Sequence, residues 1–233
     1  MTTIRDCIAP DRNPKVPSIK LPEGSIDTHV HIFESQYPLF EGRGYNPPDS
    51  TLDDLKHLHS QLGVSRVVYT QPSPYGVDNS AILKGMKVMN DETPGRARGV
   101  CAIKMDVSDD FLEDLDKQGI KGVRLNMDNI GGMPIGLDEI PTLEARIKDL
   151  GWHVEYLFPG KDIVELAPIF KKSSVPISIA HFAYQPATNG INSEGFKTLL
   201  DLVRDGNTWI KISGANRVSE TDLPPYDDVM PMA

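Results

Sequence analysis

Two hydrophobic periods alternate along the chain. Compact runs of aliphatic and β-branched residues, such as "VSRVVYTQ" (64 to 71) and "WHVEYLF" (152 to 158), are separated by longer stretches with apolar residues every three or four positions. The first pattern is that of a strand and the second that of a helix with one apolar face. Seven strand-like runs stand out, at 25–33, 64–71, 97–104, 120–127, 152–158, 175–182 and 208–214. The helical stretches between them carry their own boundaries. "STLDDLKHLHSQLG" opens on Ser50 or Thr51 and closes on Gly63, and "SDDFLEDLDKQG" opens on Ser108 and closes on Gly119, which are capping and stop residues.

Regular strand and helix alternation predicts parallel βα units joined right-handedly, either an open doubly wound sheet or a closed (β/α)8 barrel. No glycine-rich dinucleotide turn follows the first strand, which favours the barrel. The expected fold class is therefore α/β, a (β/α)8 TIM-like barrel that is incomplete, with about seven parallel strands and the eighth missing. "YDDVMPMA" (226 to 233) reads as the first turns of a seventh helix. Residues 1–22, proline-rich and scattered with charge, read as an extended N-terminal arm, and 23–233 as a single domain.

Composition narrows the function. Of 233 residues, 39% are hydrophobic and 24% charged, ordinary for a soluble globular protein. A formal net charge of -9 argues against a nucleic-acid or anionic-membrane surface, since both require a basic face. No run approaches the ~18 apolar residues of a membrane span, and no targeting segment is evident, so a cytoplasmic location is expected. Cys7 and Cys101 lie too far apart for metal-site spacing and suggest no disulfide framework. Met86, Met89, Met105 and Met127 read as core filling, and His57 and His59 as surface groups on the first helix.

In a βα barrel the chemistry sits at the C-terminal strand ends. "IDTHVHIF" (26 to 33) places Asp27, His29 and His31 at alternate positions, hence on one strand face. Two imidazoles there suit a metal ion, or an oxyanion and a water. His181, in "SIAHF", would end the sixth strand and face the same mouth. Glu155, alternating with His153 on strand five, reads better as a buried partner for an arginine or lysine than as a metal ligand.

These motifs, together with "QPSPYGVDNSAIL", "ARGVCAIK", "IKGVRLNM", "LGWHVEYLF" and "WIKISGANRVS", resemble the amidohydrolase superfamily. Within it the likeness is to the group of 2-pyrone-4,6-dicarboxylate lactonase and related sugar-lactone and muconolactone hydrolases. The resemblance runs from about residue 20 to the end. It implies a hydrolase that opens a small-molecule lactone with an activated water, His29, His31 and His181 being catalytic. Some members hold a divalent metal such as zinc on those histidines, whereas the pyrone dicarboxylate enzyme is described as working without one. Arg124 and Arg217 are similar to substrate-contacting arginines of the family; Tyr45, Gln71, Ser73, Tyr75 and Asn79, in the loops after the first and second strands, and Tyr184 are the further candidate substrate contacts. Asp78 also reads as a plain cap for the following helix.

Three departures bear on the substrate. Tyr184 stands where the pyrone enzyme has an arginine, "DNIGGM" replaces a second arginine beyond Arg124, and the strand-five tyrosine falls on Leu157, with Tyr156 on the other face. A neutral or mono-anionic lactone is thus a better expectation than a dicarboxylate. The resemblance further implies a general-base aspartate on strand eight, in a Gly-Thr-Asp-Trp-like segment that this sequence does not contain. The alternatives are a catalytically impaired remnant or binding subunit, or lactone isomerase or carboxy-lyase chemistry. A homo-oligomer covering the open barrel edge is the expected partner arrangement.

Overall fold

The computed structural model describes residues 4–128 and 135–233. Most of the "DNIGGM" departure, residues 129–133, lies outside them. The chain divides into two compact units, the first taking the described residues up to Gly122 and the second Val123–Asp128 with Ile135–Ala233.

In the first unit the strands are β1 (Ile26–Val30), β2 (Arg66–Thr70) and β3 (Ala97–Cys101), followed by the opening of β4 (Ile120–Asn126). β1 pairs parallel with β2, and β2 with β3. In the second unit the end of β4 is followed by β5 (His153–Leu157), β6 (Ile177–Ile179) and β7 (Thr208–Ile210). β5 pairs parallel with β6, and β6 with β7. The order along the sheet is the order along the chain, as expected for successive βα units. Every expected run contains an observed strand, but the strands are shorter, trimmed at one or both ends. Among the described residues no eighth strand joins this sheet.

Among the described residues six α-helices lie in the crossovers: α1 (Leu52–Leu62), α2 (Ser80–Glu92), α3 (Asp109–Lys117), α4 (Ile140–Ile147), α5 (Ile163–Phe170) and α6 (Glu194–Arg204). Their boundaries follow from local chemistry. Thr51 and Asp54 form a reciprocal capping box at the start of α1. Gly63 ends that helix at φ 76°, a conformation that costs a side chain-bearing residue about 1–2 kcal/mol. Ser108 and Ser193 cap α3 and α6 through the amides of Phe111 and Phe196. Asp78 accepts from the Ser80 amide at 3.0 Å, but the N-cap position of α2 falls on Asn79, which makes no side-chain cap bond.

"YDDVMPMA" is not an α-helix: only a single 3₁₀ turn, Met230–Met232, forms there. Pro231 has no amide hydrogen and cannot continue a helical ladder. The arm touches the first unit through Arg5–Asp6, which pairs with Tyr45–Asn46. Ile8, Val16 and Ile19 on it remain exposed.

Each unit has its own core. In the first, Val67 and Tyr69 of β2 and Val100 of β3 pack with Ile82, Met86 and Met89 of α2, all essentially buried. Met105 and Met127 are only half-buried, so the expectation of four core methionines holds for two. In the second, Trp152, Val154, Ile177 and Ile179 are fully buried, and Tyr156 and Phe158 stack against Phe170 at 4.6 and 5.4 Å. Burying one such side chain contributes about 1.5–3 kcal/mol.

Candidate active site

The first unit presents the two histidines of "IDTHVHIF". His29 lies in β1 and His31 one residue beyond it, with ring centroids 5.0 Å apart in an edge-on arrangement. His31 Nδ1 lies 2.8 Å from the carbonyl oxygen of Thr70 at the end of β2. A carbonyl only accepts, so Nδ1 carries the proton and the lone pair of the neutral ring sits on Nε2. The backbone carbonyl thus fixes both the tautomer and the orientation of the ring.

Asp27 does not join them. Its pairing to β2 and that of Val30 are separated by a register shift, an inserted residue that breaks the alternation assumed from the sequence. The Asp27 carboxylate instead accepts from the His29 amide at 3.2 Å and meets His59 Nε2 at 3.2 Å. His59 is therefore not a surface group. It is 2% exposed on the inner face of α1, whereas His57 is exposed as expected.

The loops after β1 and β2 are tied together by the other residues singled out in this unit. Tyr75, buried, accepts from the Glu34 amide at 3.0 Å and donates to the Glu34 carbonyl at 3.3 Å. Gln71 donates to the carbonyls of Gly76 and Asp78 at 3.0 and 2.8 Å. Asn79 bonds both the carbonyl and the amide of Ala102, at 2.7 and 2.9 Å. Their recorded polar contacts are to loop backbone. Phe33 contacts Tyr45 and Tyr75 at ring distances of 6.5 and 5.7 Å. Phe33, Tyr37, Arg43, Asp49 and Tyr75 help line a cavity of about 410 Å³. Ser73 is buried in the short turn that leads to Tyr75. The Thr70 hydroxyl, fully buried beside the His31 anchor, has no hydrogen-bond partner among the described residues, and sequence reasoning passed over it.

The second unit presents His181, Arg124, Tyr184 and Arg217. His181 is not on a strand. β6 ends at Ile179, and His181, Phe182, Ala183 and Tyr184 all take left-handed conformations with φ between 49° and 53°. At roughly 1–2 kcal/mol for each side chain-bearing residue, such a run persists only where its surroundings hold it. His181 Nδ1 lies 2.9 Å from Ser213 Oγ after β7. Arg217 donates from Nη1 to the Tyr184 hydroxyl at 3.2 Å and lies 5.9 Å over its ring. The His181 and Tyr184 rings meet edge-on at 5.9 Å.

Beneath these groups Glu155, fully buried on β5, faces two cations: Arg124 Nε, in an ion pair at 3.4 Å, and the Lys211 ammonium, which donates a hydrogen bond to it. Glu155 is thus the buried partner expected from the sequence, and Lys211, which the sequence reading missed, is one of its counterions. Burial alone would raise the Glu155 pKa, but the Lys211 and Arg124 charges overcome it and lower it. The same cations act on His181. Burial first, then Arg217 and Arg124, push its pKa down to about 4, so the ring is neutral at pH 7. Burial raises the Tyr184 pKa, opposed by Arg217.

Together these features define an α/β protein of successive parallel βα units, with imidazoles, hydroxyls and guanidinium groups at or just beyond its strand ends. A family model described as amidohydrolase matches residues 26–231, and the chain belongs to that family. It is 33% identical to 2-pyrone-4,6-dicarboxylate hydrolase of Comamonas testosteroni, over 95% of this chain and 74% of that protein. To 4-sulfomuconolactone hydrolase of Hydrogenophaga intermedia the identity is 32%, over 97% and 74%. To D-galactarolactone isomerase of Agrobacterium fabrum it is 28%, over 91% and 71%. A crystal structure from Agrobacterium tumefaciens superposes with a TM-score of 0.81 at 27% identity, covering 91% of this chain and 76% of that one.

Among the described residues no group of three or more His, Cys, Asp or Glu side chains is arranged to hold a metal ion. Among the described residues, too, no helix is long and apolar enough to cross a membrane.

Proposed function

We propose that the protein opens a lactone of a small organic acid by hydrolysis. Water adds to the ring carbonyl carbon, the ring C–O bond breaks, and a hydroxy acid leaves. In this reading His29 and His181 polarise the carbonyl and stabilise the oxyanion that develops on it, a contribution of about 10²- to 10³-fold per well-aimed donor, while His31, whose lone pair lies on Nε2, accepts a hydrogen bond from the attacking water. Arg124 and Arg217 orient the acid group of the substrate, with Tyr184 beside Arg217. Tyr45 and Ser73 line the substrate side, while Gln71, Tyr75 and Asn79 shape the loops that carry them.

The observation that carries this reading is the environment of His181. A neutral imidazole is held through Nδ1 by Ser213 and feels the charges of Arg217, Arg124 and Lys211 against that of Glu155; Arg217, the largest of these charges in its effect, favours negative charge beside the ring. That is the requirement of a site in which a neutral carbonyl becomes an oxyanion beside a bound carboxylate. The likeness to two lactone hydrolases agrees with it. The pyrone enzyme's arginine position is taken here by Tyr184, which supports a neutral or singly charged lactone over a dicarboxylate.

A second reading, lactone isomerisation, is favoured by the likeness to D-galactarolactone isomerase. A pH-stat assay on a lactone panel separates them, because hydrolysis at neutral pH releases one proton per ring opened and isomerisation releases none. The expected result is proton release that His31→Asn and His181→Asn each reduce at least 100-fold. Isomer formation without proton release would establish the second reading. Saturable binding with no turnover of any kind would favour a binding role and refute both.

A further inference from the structure

The left-handed run His181–Tyr184 needs something to hold it, and the structure places one buried side chain against it. Gln185, 3% exposed, follows the run directly, and its amide Nε2 donates to the Gly160 carbonyl at 2.6 Å and to the Ala183 carbonyl at 3.3 Å. One contact is inside the run and the other on the segment after β5. Two glycines make room for this arrangement. A Cβ on Gly160 would lie 2.1 Å from the Tyr184 carbonyl oxygen, which is backbone and cannot rotate away. A Cβ on Gly195 would lie 2.2 Å from Gln185 Oε1. The run is also tied by backbone bonds, Phe182 N to Lys211 O at 3.1 Å and Gln185 N to Phe182 O at 3.1 Å.

We propose that Gln185 is a positioning residue: seated between Gly160 and Gly195, it locks the left-handed turn that aims His181 and Tyr184. Gln185 touches no substrate and acts through those two side chains. A right-handed or extended turn would rotate the Cα–Cβ vectors of both residues, carrying His181 off Ser213 and Tyr184 off Arg217. Small shifts of this kind at a reacting group cost rate rather than binding. The catalytic part of this proposal rests on the role given above to His181; the locking part does not.

The test uses the whole chain with Gln185→Leu, which keeps the volume and removes the donor. Amide hydrogen exchange is expected to accelerate at least tenfold at Phe182, Ala183 and Gln185, while the amides of α6 and β5 keep their protection. On a turned-over lactone, kcat falls at least tenfold with KM changed less than threefold. Adding Ala183→Gly, which removes a Cβ from a φ of 52° and so relieves the strain, restores part of the lost protection and rate. Unchanged exchange at those amides, or equal acceleration throughout the second unit, overturns the proposal. Local acceleration with undiminished turnover leaves the lock in place and instead refutes the role given to His181. Should Gln185→Leu fail to fold, Gln185→Glu, which keeps the shape and one oxygen, gives the same readouts.

Discussion

Glu155→Gln is the sharpest probe of the second unit, because it changes charge almost without changing shape. In the wild type one buried carboxylate serves Arg124 and Lys211, whose side chains are 4% and 13% exposed. The amide cannot neutralise either cation, so two partly desolvated charges are left facing an uncharged group. Removing one partner of a buried ion pair costs about 3–5 kcal/mol, against a total stability of about 5–15 kcal/mol for a domain. With a urea m value of about 1–3 kcal/mol/M, the unfolding midpoint should fall by about 1 M or more. The pH dependence has a definite sign. Glu155 has a lowered pKa in the folded chain, so its contribution is complete above the ordinary glutamate range and is lost as pH falls through the folded value. Wild type and variant should therefore converge in strong acid. Lys211→Met in the Glu155→Gln background should cost about 1–3 kcal/mol less than the two single changes added together, since one stranded cation is gone. A midpoint shift worth under ~1 kcal/mol, or additivity within ~0.5 kcal/mol, would refute the view that these side chains act as one buried cluster.

Three further outcomes are expected. His181 has a folded pKa of about 4 against an ordinary 6.5, so the unfolded chain binds the extra proton between those values. Stability should rise with pH across that window and level off above it, by at most ~3 kcal/mol, and His181→Asn should flatten it in pH-resolved urea titrations. Asn79→Ala strips both partners from the Ala102 backbone and should cost about 2–4 kcal/mol, read as a drop of about 4–16 °C in melting temperature. Thr51→Ala breaks the α1 capping box and should cost about 1 kcal/mol with no effect on lactone turnover; a loss above ~2 kcal/mol would mean that Thr51 does more than cap.

The elements were legible because each is specified locally. The α1 boundaries follow from Thr51, Asp54 and Gly63, and the seven strands from dense runs of valine, isoleucine and leucine. What escaped the sequence depends on groups distant in the chain. Strict alternation put Asp27 beside His29 and His31, but the register shift in β1 turns its carboxylate to His59, 32 positions away. His59 then becomes buried although it sits amid the polar residues of α1. The role of Lys211 comes from Glu155, 56 positions earlier, which holds it. The turn at His181 carries no glycine to announce its left-handed backbone.

Position and role were therefore legible to different degrees, and the reason is where hydrogen-bonding capacity is spent. A side chain at a strand end is a candidate for chemistry by location alone, and Gln71, Tyr75 and Asn79 satisfy that condition as fully as His31 does. Yet the Gln71 amide, the Tyr75 hydroxyl and both ends of the Asn79 amide are bonded to loop backbone. His31 places Nδ1 on the Thr70 carbonyl, and His181 places Nδ1 on Ser213 Oγ, which orients each ring. Arg217 spends one nitrogen on Tyr184 and keeps the rest of a five-donor fork. Donor and acceptor accounting thus marks Tyr75 and Asn79 as residues that build the loops. A sequence lists those groups, but only the folded chain assigns their partners.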